Sequence, residues 1–303
     1  MMENRATHIV LLNTRANVAA ASELGTKIRE RFRVHGINIE IRALAEGDDI
    51  IAVARHAVAG APDVIVAGGG DGTVSAVASA VVGTSTTLGV LPLGTLNHFA
   101  RDIGLPMDVD AAIDSICMGR VTRVDVGRVN DRLFLNNSSL GLYPQALRKR
   151  DTLTTQLGHA KWPAFLWAAW ELFRRYPFLT VRMTVDDQSI DFRTPLVFIG
   201  NNSYELHGIE IGERRRLDAG HLSILVVDRA GRMGIVLLAL RALSGRLRSG
   251  ADFKTMRAQS VDVETHHRTV SVATDGEVSR LQTPLHYRVE ALALSVLVPA
   301  TVG

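Results

Sequence analysis

Apolar residues recur along the first 120 positions in short runs that alternate with helical spacings. His8–Asn13 predicts a strand, and Leu24, Ile28 and Phe32 then fall on one helical face. Ile37–Ile41 predicts a second strand, followed by a helix carrying Ile50, Ala54, Ala57 and Val58. Pro62–Ala67 predicts a third strand. Val74, Val77, Ala78 and Val81 repeat at i, i+3, i+4 and i+7 just beyond it, and Leu88–Leu91 is a fourth short strand. Strands alternating with helices of this length predict βαβ units and a parallel sheet covered on both faces.

From Val121 the rhythm changes to short, often alternating strand patterns. These are Val121–Arg128, Arg132–Asn137, Leu179–Val185, Ile190–Ile199, Leu222–Val227, Val261–Glu264, Val270–Ala273 and Leu292–Val298. Asn130-Asp131 reads as a hairpin turn between the first two. Helical patterns interrupt at about 157–175 and 231–244, so the expected architecture is α/β. A doubly wound parallel-sheet domain over 1–120 precedes a β-sandwich with helical insertions over 121–303. The C-terminal tail is left free in this expectation to pack back on the first domain.

Composition adds bounds. With 303 residues, 47% of them hydrophobic and 21% charged, the chain has room for one or two globular cores. A single cysteine, Cys117, excludes an internal disulfide and suits a reducing compartment. No stretch is apolar for long enough to be a signal peptide or a membrane span, which points to a cytoplasmic protein, at most peripheral at the inner membrane face. Charge divides unevenly: residues 1–120 carry 10 Lys and Arg against 13 Asp and Glu, and residues 121–303 carry 24 against 18. Basic clusters at Arg148-Lys149-Arg150, Arg174-Arg175, Arg214-Arg215-Arg216 and Arg246/Arg248 suit solvated faces or an anionic membrane surface. With no nucleic-acid motif and 5% aromatics, no nucleic-acid partner is expected. The aromatic segment Trp162–Phe173 and the apolar Met233–Leu243 read as core first and as lipid-facing second. Self-association is left open.

Three dense stretches carry the candidate chemistry. Gly68-Gly69-Gly70-Asp71-Gly72-Thr73-Val74 lies at the third strand-to-helix junction, where glycines admit positive φ or close backbone approach and the helix start offers N–H groups to an anion. No glycine follows the first strand, which excludes the Rossmann fingerprint, and no Gly-Lys-Ser/Thr is present, which excludes a Walker A loop. Leu91–Arg101 again leaves a strand, turns at Pro92 and Gly94 and enters a short helix, so Thr95 and Asn97 are expected to face the first loop. His98 reads as an ordinary helix residue. Thr274-Asp275-Gly276-Glu277 sets two carboxylates around a glycine; by spacing alone a hairpin turn competes with general-base chemistry.

These three stretches, in this order and over nearly the whole chain, resemble the diacylglycerol kinase and sphingosine kinase superfamily, bacterial lipid kinases in particular. The resemblance implies ATP and Mg²⁺ as cofactors, a lipid alcohol as acceptor, and a cleft between the two domains as the active site. By matching positions, Gly68–Val74, Gly94, Thr95 and Asn97 would meet the nucleotide. Asp71 would lie near its metal, and Asp275 and Glu277 would supply the base, with Glu277 preferred. Three positions depart from the family pattern: His98 and Ala43 replace an Asp and a Thr, and Ala219 stands where a metal-binding Asp is expected, with Asp218 one position earlier as the candidate substitute ligand. The rival readings are an NAD kinase-like enzyme and a non-catalytic lipid- or nucleotide-binding relative.

Overall fold

The computed structural model describes residues 8–13, 18–45, 47–141, 178–185, 188–204, 206–207, 210–211, 214, 216–227 and 254–300. The helical patterns expected at about 157–175 and 231–244, and the clusters at 148–150, 174–175 and 246/248, lie outside the described residues. The chain divides into two compact units, one of residues 1–126 and 291–303, the other of residues 127–290.

The first unit begins β1 (His8–Leu12), α1 (Val18–Val34), β2 (Ile39–Ala43), α2 (Ile50–Ala59), β3 (Val64–Gly69), α3 (Asp71–Val81) and β4 (Thr87–Pro92). Then follow α4 (His98–Asp102) and α5 (Val109–Met118). The strands form a parallel ladder in the order β2-β1-β3-β4, and Val296 near the C-terminus pairs in parallel with Leu88 of β4. Every residue of β3 is buried, as a central strand covered on both faces requires. Val10, Leu12, Val64, Val66 and Leu91 share a core with Ile28 and Phe32 of α1 and with Ala112, Ile113 and Ile116 of α5. On the opposite face lie Ile65, Ala67 and Val90, beside the paired helices α2 and α3. Asp49 and Asp108 start α2 and α5 as N-caps, accepting the amides of Ala52 at 3.1 Å and Ala111 at 3.0 Å. A carboxylate clamp joins α1 to α5: Asp114 accepts from Arg31 Nε at 2.7 Å, from its Nη2, and lies 2.8 Å from His35 Nε2. Those bonds, Arg31 first, hold the Asp114 carboxyl down to about 2.

The strand order reverses between β1 and β3, the switch point outside which open α/β sheets place ligands at the carboxyl ends of the strands. The glycine loop leaves the sheet there.

In the second unit, β5 (Arg120–Val129) enters from the first, and β6 (Arg132–Phe134), β7 (Asn137–Gly141), β8 (Leu179–Val185), β9 (Gln188–Thr194) and β10 (Leu196–Asn201) follow. The two-residue strands β11 (Leu206–His207) and β12 (Glu210–Ile211) precede β13 (Leu222–Val226), β14 (Lys254–Ala258), β15 (Ser260–Thr265), β16 (Thr269–Thr274), β17 (Glu277–Gln282) and β18 (Leu285–Val298). Strands β14-β13-β10-β7-β16-β17 form an antiparallel sheet. A second layer joins β9, β8, β15 and the first half of β18. The core between them draws Leu140, Val197, Ile199, Ile224 and Val272 from one layer and Val181, Met183, Val261, Val263 and Tyr287 from the other, which makes a sandwich. Tyr287 is fully buried; its hydroxyl, 3.0 Å from Ser138 Oγ, is pushed well above the usual phenol range by desolvation.

Several features depart from the sequence reading: Ile190–Ile199, expected as one strand, breaks at Pro195 into β9 and β10, which join different sheets, and β14 and β17 were not expected. The run Arg132–Asn137, expected as one strand, breaks after Phe134, and a new strand starts at Asn137. The amides of Leu135, Asn136 and Asn137 turn away from any ladder and toward the Asp275 carboxylate. Helix α5, left unassigned by the sequence reading, carries Ala112, Ile113 and Ile116 inward behind its Asp108 cap.

Candidate active site

The glycine stretch is shaped by steric closeness. None of Gly68, Gly69, Gly70, Gly72 or Gly94 has a positive φ. A Cβ on Gly69 would lie 2.6 Å from the Thr73 side chain, and one on Gly94 would lie 2.4 Å from Gly70 Cα. The loops after β3 and β4 therefore touch backbone to backbone, and Leu93 N–H donates to Gly69 O at 3.1 Å, which fixes their register. A Cβ on Gly68 would press on the Leu12 side chain at 3.0 Å.

Gly70 caps α3 without a side-chain bond, and the first intrahelical amide to be satisfied is that of Val74, which donates to Gly70 O at 3.0 Å. The amides of Asp71, Gly72 and Thr73 precede it and have no helical acceptor. Val74 itself is 3% exposed and packs inward. Thr73 is buried, and its Oγ1 accepts from Asn13 Nδ2 at 2.9 Å, while Asn13 N–H donates to Gly68 O at 2.7 Å. Asn13 thus anchors the loop from the end of β1, a role the sequence reading did not give it. The only signal available was its place at the carboxyl end of the strand across the switch point.

Asp71 is half-buried, and its Oδ1 accepts a long bond, 3.4 Å, from Phe99 N–H. Its second oxygen has no partner among the described residues. Asn97 adopts a left-handed conformation (φ 51°) and folds over its own loop. Its amide donates to Pro92 O at 3.3 Å and Gly94 O at 2.8 Å, and its oxygen accepts from Gly94 N–H at 2.9 Å. Asn97 is therefore a loop staple. Thr95, Leu96 and His98 beside it are exposed.

In the second unit, Asp275 and Gly276 form the two-residue turn between β16 and β17, with φ of 47° and 86° and Thr274 opposite Glu277. Positive φ at both central residues is the primed hairpin turn for which Asp-Gly is suited. The Asp275 carboxylate accepts three consecutive amides: Leu135 at 2.7 Å, Asn136 at 2.8 Å and Asn137 at 3.1 Å. Glu277, one residue past the turn, is exposed, and its carboxylate makes no hydrogen bond or ion pair with the described residues. The two carboxylates are thus placed for different work, one fastened to backbone and one presented to solvent.

The donor set at Asp218 does not fit a structural cation. Its carboxylate is paired with Arg216 Nε at 3.0 Å. The Ala219 N–H donates to Asn202 Oδ1 at 2.9 Å, and the Ala219 carbonyl takes the His221 Nδ1 proton at 3.1 Å, leaving His221 Nε2 to accept from Ser203 Oγ at 2.8 Å. Among the described residues no group of three or more His, Cys, Asp or Glu is placed to hold a metal ion. Asp71, with one carboxylate oxygen that has no partner among the described residues and lies beside a helix start, does fit a nucleotide-linked cation. Arg214, expected in a solvated basic cluster, is 3% exposed, and Arg215 lies outside the described residues.

Comparison with known proteins agrees with this layout. Residues 7–129 match the diacylglycerol kinase catalytic domain, and residues 139–298 match the YegS C-terminal NAD kinase beta sandwich-like domain. A diacylglycerol kinase of Staphylococcus saprophyticus is 27% identical over 218 residues, 71% of this chain and 70% of that protein. A YegS-like lipid kinase of Klebsiella pneumoniae is 38% identical over 112 residues, 36% of this chain and 38% of that protein. A crystal structure of a diacylglycerol kinase from Bacillus anthracis superposes with a TM-score of 0.71 at 22% identity, covering 98% of each chain, a likeness of fold. With a catalytic-domain match and a sandwich-domain match that follow one another along nearly its whole length, the chain belongs to the diacylglycerol kinase and YegS-like family of lipid kinases.

Proposed function

We propose that this chain transfers the γ-phosphoryl group of ATP to the hydroxyl of a lipid. The observation that carries the reading is the junction of β3 and α3. Three helix-start amides without helical acceptors lie there beside Asp71, with the next loop pressed so close that Gly94 has no room for a larger residue. Converging amides at a helix N-terminus suit the phosphates of a nucleotide. The exposed Thr95 hydroxyl offers one further contact, while Thr73 and Asn97 hold the loops in place.

Glu277 acts as the base in this reading. Its carboxylate accepts the proton of the lipid hydroxyl as that oxygen bonds to the γ-phosphorus, the bond from phosphorus to the bridging oxygen of ADP breaks, and ADP and a lipid phosphate leave. Asp275 keeps the turn in shape through its three amide bonds. A magnesium ion held with the nucleotide beside Asp71 would neutralise phosphate charge. The acceptor meets the protein at an anionic bilayer, to which the second half of the chain, with its excess of basic residues, is drawn.

The test is incubation of the full chain with radiolabelled ATP and a panel of acceptors: diacylglycerol, monoacylglycerol, a sphingoid base, phosphatidylglycerol and NAD, with products read by mass. Label in a lipid supports the proposal. Label in NAD would make the chain an NAD kinase, and no transfer to any acceptor would leave a binding protein. Vesicle binding that weakens as salt rises supports the bilayer contact, and equal binding to neutral vesicles at all salt contradicts its electrostatic part.

A further inference from the structure

A buried arginine stands behind the corner that Asp275 holds. The Arg214 guanidinium donates from Nη1 to Leu135 O at 2.6 Å and Asn201 O at 3.2 Å, and from Nη2 to Asn136 Oδ1 at 2.8 Å. Its central carbon lies over the Tyr204 ring, 5.6 Å from the centroid, and Tyr204 Oη donates to Asn136 O at 2.7 Å. Asn201 completes the arrangement, donating from Nδ2 to Leu135 O at 2.9 Å and from its backbone N–H to Asn136 O at 2.9 Å. The peptides of Leu135 and Asn136 therefore have their N–H ends on a carboxylate and their C=O ends on a guanidinium and its companions. Both charges act on one stretch of backbone, each on the end of the peptide dipole that suits it, and the site is desolvated so that each bond counts for more.

We propose that Arg214 is a positioning residue for phosphoryl transfer, fixing the Asp275-Gly276-Glu277 turn through the corner Leu135–Asn137. This rests on the reading of Glu277 as the base. The Asp275 carboxylate grips this corner by three amides, and Glu277 leaves the turn one residue later, so the aim of Glu277 depends on how firmly the corner stands. The planar fork matters. It serves two backbone carbonyls and a side-chain amide oxygen at once while its central carbon stays over the Tyr204 ring, which a lysine ammonium on a flexible stem does not reproduce.

The experiment compares the full-length wild type with R214K, N136A and E277Q by amide hydrogen exchange and by steady-state transfer from ATP to 1,2-dioleoylglycerol in phosphatidylglycerol vesicles. In R214K the amides of residues 135–137 exchange faster while those of 64–81 do not change. Its kcat falls by about tenfold to a hundredfold, with KM for ATP held within about twofold, as expected of a displaced catalytic group. N136A, which removes one acceptor of the fork, shows the same pattern more weakly and serves if R214K does not fold. Unchanged exchange at 135–137 in both variants overturns the proposal, and so does faster exchange with wild-type kcat. E277Q turning over like the wild type would remove the base itself. That outcome is recognisable because E277Q leaves exchange at 135–137 unaltered.

Discussion

Two acidic turns carry the candidate chemistry, and they are built in opposite ways. The Gly68–Thr73 loop is made of backbone: it lacks a capping side chain, its shape comes from glycines packed against Thr73 and Gly94, and its carboxylate, Asp71, makes one long hydrogen bond. The Asp275–Glu277 turn is made of side chains. Asp275 takes up three amides, and Arg214, Asn201 and Tyr204 hold the far side of the same peptides. A loop that binds phosphates needs free amides and room. A turn that aims a base needs a rigid mount for one exposed carboxylate. The difference gives two Asp-Gly pairs with different surroundings: in the first the aspartate makes a single long bond, and in the second it takes up three amides while the glutamate beyond it is exposed.

That contrast can be broken at several points. The largest effect is expected at Glu277: Glu277→Gln lowers kcat by about 10²–10⁴, the range of a lost general base, with melting temperature and KM for ATP near wild type. Gly94→Ala acts on the other turn. Its Cβ would meet Gly70 Cα at 2.4 Å, so the loops must part, and we expect KM for ATP to rise about tenfold, in line with the cost of overpacking. Asp275→Ala should separate fold from chemistry: chemical denaturation reads a loss of about 2–3 kcal/mol from three buried amides deprived of a charged acceptor, with the fall in kcat following from the loosened turn. The smallest effect belongs outside both turns. Asp114→Asn loosens the clamp between α1 and α5 and lowers the melting temperature at neutral pH without changing kcat. The Asp114 carboxyl is held down to about 2 in the folded protein. Its contribution is therefore complete above the ordinary carboxylate range and is lost as pH falls toward 2, where wild type and variant converge. A variant equal to wild type at pH 7 would show that the clamp does not stabilise the fold.

The parallel half was legible because β1, β3 and β4 are largely apolar runs, β2 alternates, and α1 to α3 keep a 3.6-residue period; β1 to β4 fall within a few residues of the spacing. The glycine stretch was legible as a close backbone approach, although steric room rather than positive φ turned out to be what the glycines supply. The sandwich was harder. Strand β7, Asn-Ser-Ser-Leu-Gly, has no β-branched residue and one large apolar one, so no periodicity marks it. The break at Leu135 depends on a carboxylate 140 positions away in the chain. Arg214 sits in a run of three arginines that reads as surface, and only the tertiary arrangement of Leu135, Asn136 and Asn201 reveals a buried fork. Asn13 was invisible for the same reason: its partner, Thr73, is brought to it by the sheet. Local pattern carries local structure, whereas a polar residue whose partner is distant carries no mark in the chain.

The most direct test of the account pairs ATP binding with single-turnover transfer in Glu277→Gln. Calorimetry with ATP and Mg²⁺ should give a Kd equal to that of the wild type, because the amides after β3 are untouched, while transfer of label to lipid in a single turnover falls by about 10² or more. Transfer at the wild-type rate with unchanged ATP affinity would contradict the division of labour between the two turns.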